Sequence, residues 1–163
     1  MTDPILFLTA VMLVLLTPGP TNTLLAAAGA AGGAKAGWRL PLMEAAAYLV
    51  SVSLLGWGIG PVAEAVPALK TALRLAAGLY LAYVAFTLWR SGVATLGERR
   101  AVGPAQVFTA TLLNPKCLIF AFGLVPMDHP AAALYLAAFA GCVLTAGTGW
   151  LLLGAALRRG LSP

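Results

Sequence analysis

The stretch Leu15–Leu25 reads LLTPGPTNTLL and lies inside an otherwise apolar run that extends from Ile5 to Ala31. Proline lacks the backbone N–H that a helix needs and clashes with the preceding turn, which costs roughly 3 kcal/mol in a helix interior. Pro18 and Pro20, separated only by Gly19, therefore predict a helix that is broken near the middle of the run.

The composition of the whole chain is that of a membrane protein. Of its 163 residues 61% are hydrophobic and only 9% are charged, with a mean hydropathy of +0.93. A soluble domain carries about 25% charged residues, and an apolar helix of about 20 residues spans the hydrocarbon core of a bilayer. We therefore predict an all-α, polytopic membrane helical bundle that forms a single domain over residues 1–163.

Five apolar segments are predicted as membrane spans, and a polar loop from Arg90 to Pro104 separates the third from the fourth. The loop divides the domain into a first half, about residues 1–90, and a second half, about residues 105–163. In order, the five segments cover about Ile5–Ala31, Leu40–Val62, Leu69–Trp89, Ala105–Val125 and Ala131–Leu157.

The basic residues predict the orientation of the chain in the membrane. On one side the loops and the C-terminal tail carry seven Lys and Arg residues, and the loops of the other side carry only Lys70. Short loops rich in Lys and Arg face the cytoplasm, which predicts an outside N-terminus and an inside C-terminus. Asp3 and the lack of a basic residue before the first span favour a retained span over a signal peptide. Because the charges are scattered between apolar segments, the net charge of +5 predicts no nucleic-acid partner.

A second break is predicted in the fourth span, where residues 112–120 read LLNPKCLIF. A lysine near a helix centre costs roughly 2.5–3.5 kcal/mol on insertion, so Lys116 is expected to face the bundle interior or a water-filled cavity. In the alternative, the helix begins only at Pro115 and Lys116 extends to the membrane interface. The two breaks, one opening each half, predict a partial inverted repeat of the kind that places a transporter's site at the midplane.

One face of the second span is polar. Glu44, Tyr48 and Ser51 follow each other at helical spacing in a segment that is otherwise apolar. A carboxylate inside an apolar run needs a partner or water, so Glu44 is interpreted as a proton-coupling or cation-binding group. The alternative is an ion pair with Lys35 or Arg39 at the cytoplasmic interface.

No catalytic residue, metal site or cofactor is predicted. His129 is the only histidine, and Cys117 and Cys142 lie in different spans without a CxxC spacing. The two cysteines are interpreted as small buried apolar residues.

The motifs together resemble the LysE/RhtB family of amino-acid exporters. The resemblance rests on LTPGPTNTLL, GAKAGWR, AAGLYLAYVAFTLWRSG and FTATLLNPKCLIFAFGLVP, in that order along nearly the whole chain. It implies an inner-membrane carrier that exports amino acids or similar small zwitterions, coupled to the proton gradient. By this resemblance, the family's first motif corresponds to Pro18, Gly19, Pro20 and Asn22. Its second motif corresponds to Asn114, Pro115 and Lys116.

The chain departs from the family in one respect, because members resemble three spans plus three and this sequence continues only to Pro163 after its fifth span. Either a second copy supplies the missing surface in a homodimer, or the chain is a shortened, non-transporting membrane subunit. A thiol-relay membrane oxidoreductase is a further alternative, since such proteins also have Pro-broken first and fourth helices. Those proteins carry a cysteine beside each break. In this chain only the second break has one, Cys117.

The sequence therefore predicts a secondary transporter whose partners are the lipid bilayer, a small amino-acid substrate and protons. A half-helix N-terminus would bind the substrate's carboxylate, carbonyls freed at the other break would bind its ammonium, and Lys116 would add to the anion site. The predicted substrate-binding residues are Pro18, Gly19, Pro20, Asn22, Glu44, Tyr48, Asn114, Pro115 and Lys116.

Overall fold

The structure is a computed structural model that describes residues 3–66 and 102–160, and between them only positions 68, 69, 71, 72, 75, 78, 79, 82 and 86. Most of the predicted third span, Leu69–Trp89, and of the polar loop that follows it lies outside the described residues. The described part of the chain contains helices and turns and no strand.

The first span is a broken pair of helices, as predicted. Helix α1 (Pro4–Leu16) begins under a cap from the Asp3 carboxylate, which accepts the N–H of Ile5 at 2.8 Å. It ends at Thr17, whose extended backbone (φ −61°, ψ 127°) is the conformation that a following proline favours. Helix α2 (Pro20–Gly32) restarts with proline in its first turn, and the two helix axes differ by 65°.

The second span is one apolar stretch of helix from Ala34 to Val62. It comprises α3 (Ala34–Gly37), α4 (Leu40–Ser53), a π-helical segment (Leu54–Ile59) and α5 (Gly60–Ala65). The span begins earlier than the predicted Leu40 because Gly33, with φ 77°, lets the chain turn sharply out of α2 directly into α3.

The fourth span is also broken at the predicted motif. Helix α6 (Pro104–Leu112) ends just before Asn114, and α7 (Lys116–Ile119) begins after Pro115 and continues as a π-helical segment, Phe120–Leu124. The two parts are bent by 52°. After a turn, α8 (Ala132–Gly160) runs for 29 residues and forms the last span.

The described residues include two unbroken helices long and apolar enough to cross a membrane, Ala34–Val62 and Ala132–Arg158, or up to four spans if each bent pair is one. Large apolar side chains cover the outside of this bundle: Ile5 is 76%, Leu54 66% and Leu134 71% exposed. Such a surface suits lipid and is avoided by soluble monomers. The predicted all-α, polytopic fold with broken first and fourth spans is confirmed.

An aromatic cluster joins the second, fourth and fifth spans on the inside of the bundle. The ring of Tyr48 meets Phe120 and Phe139 edge-on at centroid distances of 5.5 and 5.9 Å, and Phe120 and Phe139 lie 4.8 Å apart. Edge-to-face pairs at these distances are favourable beyond the area that they bury. The cluster therefore holds α4 in an orientation in which the face that carries Glu44 and Tyr48 is turned toward α7.

Helix α2 packs against α8 through glycines. A Cβ at Gly29 would overlap with the Leu151 carbonyl of α8, and a Cβ at Gly154 would overlap with the Ala26 carbonyl of α2. Small residues let helix backbones approach closely in a membrane, where packing replaces the hydrophobic effect as the main attraction. These two glycines therefore set the distance between α8 and the second arm of the first broken pair.

We expect Gly154→Ala to destabilise the fold, because the new methyl group must push the backbone of α2 away from α8. Overpacking of this kind costs about 1–3 kcal/mol. The matched control is Gly149→Ala on the same helix, where a Cβ has no heavy atom within 4 Å and the better helix propensity of alanine applies. Thermal unfolding in detergent micelles measures both; equal melting temperatures for the two variants would contradict this packing.

Candidate functional site

The two breaks face each other inside the bundle and are joined by side-chain hydrogen bonds. The Thr21 hydroxyl at the start of α2 lies 3.1 Å from the Thr111 hydroxyl at the end of α6. Asn114 Nδ2 donates to Thr21 Oγ1 at 3.2 Å and to the Tyr48 hydroxyl at 3.3 Å. All four side chains are at least 96% buried. We call Thr21, Tyr48, Thr111, Asn114, Lys116 and Glu44 the polar cluster.

The direction of these bonds follows from the available protons. Thr111 Oγ1 donates to the Val107 carbonyl at 2.8 Å, so it must accept from Thr21. Thr21 then accepts from Asn114, so the direction of these bonds follows from the Val107 carbonyl at one end. Because Tyr48 also accepts from Asn114, the Tyr48 hydroxyl keeps its own proton for another acceptor.

Lys116 crosses from the second break to the first. Its backbone N–H donates to Asn114 Oδ1 at 3.0 Å, and its amine donates to the Thr17 carbonyl at 2.5 Å. The side chain is 2% exposed, so it points into the bundle interior, as the first of the two interpretations predicts. Gly19 leaves the path open, since a Cβ there would lie 3.3 Å from Lys116 Cε.

Side chains satisfy the carbonyls that the breaks release from the helical ladder. Asn22 Nδ2 donates to the carbonyls of Leu15 at 2.7 Å and Thr17 at 2.9 Å. At the second break, Ser51 donates to the Leu112 carbonyl at 3.2 Å, and the Cys117 thiol lies 3.3 Å from the Thr111 carbonyl. An unsatisfied carbonyl away from water costs several kcal/mol, so these contacts make the breaks tolerable in a bilayer.

Glu44 is buried between three helices. It is 1% exposed, and its Oε2 has no hydrogen-bond partner among the described residues. The carboxyl occupies the space that a Cβ at Gly147 of α8 would need, and that Cβ would also lie 3.3 Å from Leu25 of α2. Glu44 interacts electrostatically with Lys116 across the cluster. Lys35 and Arg39, the alternative partners, are exposed residues instead.

The structure separates the predicted binding residues into two groups. Those that are buried are Gly19, Asn22, Glu44, Tyr48, Asn114 and Lys116. Pro18 and Pro20 are exposed and Pro115 is half-buried, so the prolines shape the breaks.

Sequence reasoning missed three contributors, namely Thr21, Thr111 and Gly147. The two threonines sit three positions from Pro18 and Asn114, and that proximity is the one signal that marked them. Gly147 had no such signal, because its role arises only where α8 meets Glu44.

A cavity of about 430 Å³ opens beside the second break. Its lining includes polar groups from Ser51, Asn114 and Cys117 among leucines such as Leu113 and Leu118. A volume of this size lies within the range of small-molecule sites, which are mostly apolar with a few placed polar groups. The cavity therefore connects the outside of the bundle with Asn114, a member of the polar cluster.

The cysteines do not form a pair. Cys117 and Cys142 are both free and buried, and the first break has Thr21 and Thr23 where a thiol relay needs a second cysteine. No described feature favours the oxidoreductase alternative.

We expect Gly147→Ala to destabilise the protein through Glu44. The methyl group would displace the carboxyl, at a cost of about 1–3 kcal/mol. In a Glu44→Ala background the same change should cost at least about 1 kcal/mol less, since the clashing atoms are gone. Unfolding of the four proteins in detergent gives this double-mutant cycle, with Gly149→Ala as the control in both backgrounds. Equal losses in both backgrounds would show that Glu44 and Gly147 are not coupled.

Comparison with known proteins places the chain in a transporter family. The family model described as LysE type translocator matches residues 12–158, which include both breaks and all members of the polar cluster. Neither the curated proteins nor the solved structures gave a significant match. The match covers most of the chain, and the fold is that of a multi-pass membrane protein. The chain therefore belongs to the LysE type translocator family.

Proposed function

We propose that this translocator is a secondary transporter that exports amino acids or similar small zwitterions across the inner membrane, driven by the proton gradient. The observation that carries the proposal is the junction of the two breaks. Buried polar groups from both halves meet there, next to two helix ends of opposite polarity, in a bundle whose other contacts are largely apolar.

The first break suits a zwitterion because it presents both ends of a helix dipole within a few residues. The last carbonyls of α1 carry partial negative charge, and the first N–H groups of α2 carry partial positive charge. The first backbone bond of α2 runs from Thr23 to Gly19 at 2.9 Å, so the N–H groups of Thr21 and Asn22 precede the helical ladder. In the proposed mechanism these N–H groups bind the substrate's carboxylate, and the carbonyl of Thr17 binds its amino group.

The second break supplies the remaining contacts of the proposed site. Asn114 reaches both Thr21 and Tyr48, so a substrate that enters through the adjoining cavity meets an amide that already links the two halves. Binding would exchange protein–protein hydrogen bonds for protein–substrate bonds at this junction. Such an exchange lets the substrate alter how the halves are held together, which alternating access requires.

Glu44 is proposed as the proton-carrying group. A buried carboxyl with an unpartnered oxygen is costly as an isolated anion, and ionisable residues inside a membrane mark ion or proton pathways. Its electrostatic interaction with Lys116 links its protonation to the residue that bridges the two breaks. Proton uptake by Glu44 would therefore change the balance of charge at the substrate site.

The orientation proposed for export follows the basic loops, with the N-terminus outside and the C-terminus inside. We also propose that the protein forms a homodimer with a second copy of this chain. The exposed apolar faces of the described bundle provide surface for either lipid or such a copy.

We expect Asn114→Ala and Lys116→Ala to lower net export at least about tenfold, because each removes hydrogen bonds that join the breaks and leaves a buried partner unsatisfied, at a cost of about 1–3 kcal/mol. The measurement is efflux of amino acids from cells that overproduce several of them, with membrane insertion checked for each variant. Lys35→Ala, which removes an exposed lysine, is the matched control. Export of every tested amino acid at the parental rate by both variants would refute the proposed site.

We expect Glu44→Gln to uncouple transport from the proton gradient, because the amide keeps the shape of the side chain and cannot take up a proton. In proteoliposomes, a pH gradient should accelerate amino-acid transport by the parental protein and leave the variant's rate unchanged. Exchange of labelled for unlabelled substrate without a gradient should persist. A variant whose transport still responds fully to the pH gradient would remove Glu44 from the coupling mechanism.

A further inference from the structure

The Lys116 amine lies on the backbone group that the proposed mechanism assigns to the substrate. Its bond to the Thr17 carbonyl, at 2.5 Å, is formed at the C-terminal end of α1. The lysine belongs to the opposite half of the chain, and its side chain crosses beside Gly19 to reach this carbonyl. A side chain that is 98% buried thus ends on a carbonyl of the other break.

The Thr17 carbonyl has few other ways to be satisfied. Pro20, at the i+3 position, has no N–H, and α1 has already ended, so no helical N–H donates to this carbonyl. Asn22 supplies one donor at 2.9 Å, and Lys116 supplies the other. A carbonyl accepts two bonds, so both of its acceptor positions are filled.

We propose that Lys116 is a tethered surrogate for the substrate's amino group: its amine occupies the amino-group subsite of the empty carrier, and a substrate with a primary amine displaces it. This inference rests on the proposed function and names the chemistry that the site selects. Displacement frees the lysine to turn toward the carboxylate of the same substrate, which lies at the start of α2 in the proposed pose.

The exchange has a physical reason in a bilayer. Without Lys116, the Thr17 carbonyl of the empty carrier would keep only the Asn22 donor, and one of its two acceptor positions would be unfilled. A lysine amine and the amino group of an amino acid are both primary ammonium groups with three N–H donors, so one can replace the other at the carbonyl. The tether keeps the subsite filled during the return of the empty carrier.

The first test removes the Lys116 amine and measures whether a small primary amine then binds in its place. The purified Lys116→Met protein in detergent is heated with increasing ethylammonium chloride, and with tetramethylammonium chloride at matched ionic strength. We expect ethylammonium, but not tetramethylammonium, to raise the melting temperature saturably, by roughly 3 °C at ten times the dissociation constant. Lys35→Met, which removes an exposed lysine, and the parental protein should show no such rise.

A folded Lys116→Met protein that ethylammonium does not stabilise would overturn the proposal, as would an equal rise in the parental protein. If the Lys116→Met protein does not fold, a measurement on the parental chain tests the proposal instead. The sequence has three lysines, Lys35, Lys70 and Lys116, so protein labelled with ¹⁵Nζ-lysine gives few, assignable amine signals. An equimolar mixture of the common amino acids should shift the Lys116 signal, and the corresponding N-acetylated mixture should not.

The outcomes separate this inference from the proposed function. If an amino acid is exported by the parental protein and the Lys116 signal does not respond to the mixture, the surrogate role is wrong and the exporter stands. If no amino acid is transported in vesicles but Lys116→Met binds ethylammonium, the amine subsite stands and the proposed function fails.

Discussion

Backbone groups released inside a membrane must find partners within the protein, and this constraint organises the structure around its two breaks. Pro18, Pro20 and Pro115 lie at the two points where the helices are interrupted inside the bundle. Lipid offers no hydrogen bond to the carbonyls that are freed. Asn22, Lys116 and Ser51 donate to those carbonyls, and two of the three reach across to a different span. The hydrogen bonds that satisfy the freed carbonyls therefore also join the two halves.

The two asparagines that accompany the prolines have different tasks. Asn22 acts within the first break and donates to the carbonyls at the end of α1. Asn114 accepts the N–H of Lys116 through its oxygen and uses its nitrogen to reach Thr21 and Tyr48. Similar motifs in the two halves thus give one local cap and one connection between halves. The substrate site that we propose lies at the connection, where a bond exchange has the largest effect on the contact between the halves.

The last helix has the complementary role of an unbroken support. Helix α8 packs on α2 through glycines, and its Phe139 meets Tyr48 and Phe120 in the aromatic cluster. At Gly147 it leaves space for the Glu44 carboxyl. A carboxyl in that position packs closely against α8 and interacts electrostatically with Lys116. Packing and charge therefore converge on the same residue.

Much of the architecture was predictable from the sequence because its causes are local. Apolar runs of membrane length, prolines that no helix interior tolerates, and the one-turn spacing of Glu44 and Tyr48 each act over a few residues. They predicted the four spans that the described residues cover, both breaks and the inward face of the second span, and the family match agrees with them.

The contacts of the site depended instead on how separate spans pack. Residues some 90 positions apart, such as Thr21 and Thr111, meet only after the halves close on each other. The hydrogen bond from the Lys116 amine to the Thr17 carbonyl likewise has no local cause. The same holds for the space that Gly147 leaves for the Glu44 carboxyl. The sequence by itself determined where the helices break, because proline acts on its own turn. Only the tertiary structure decided which group satisfies each break, because that partner comes from another helix.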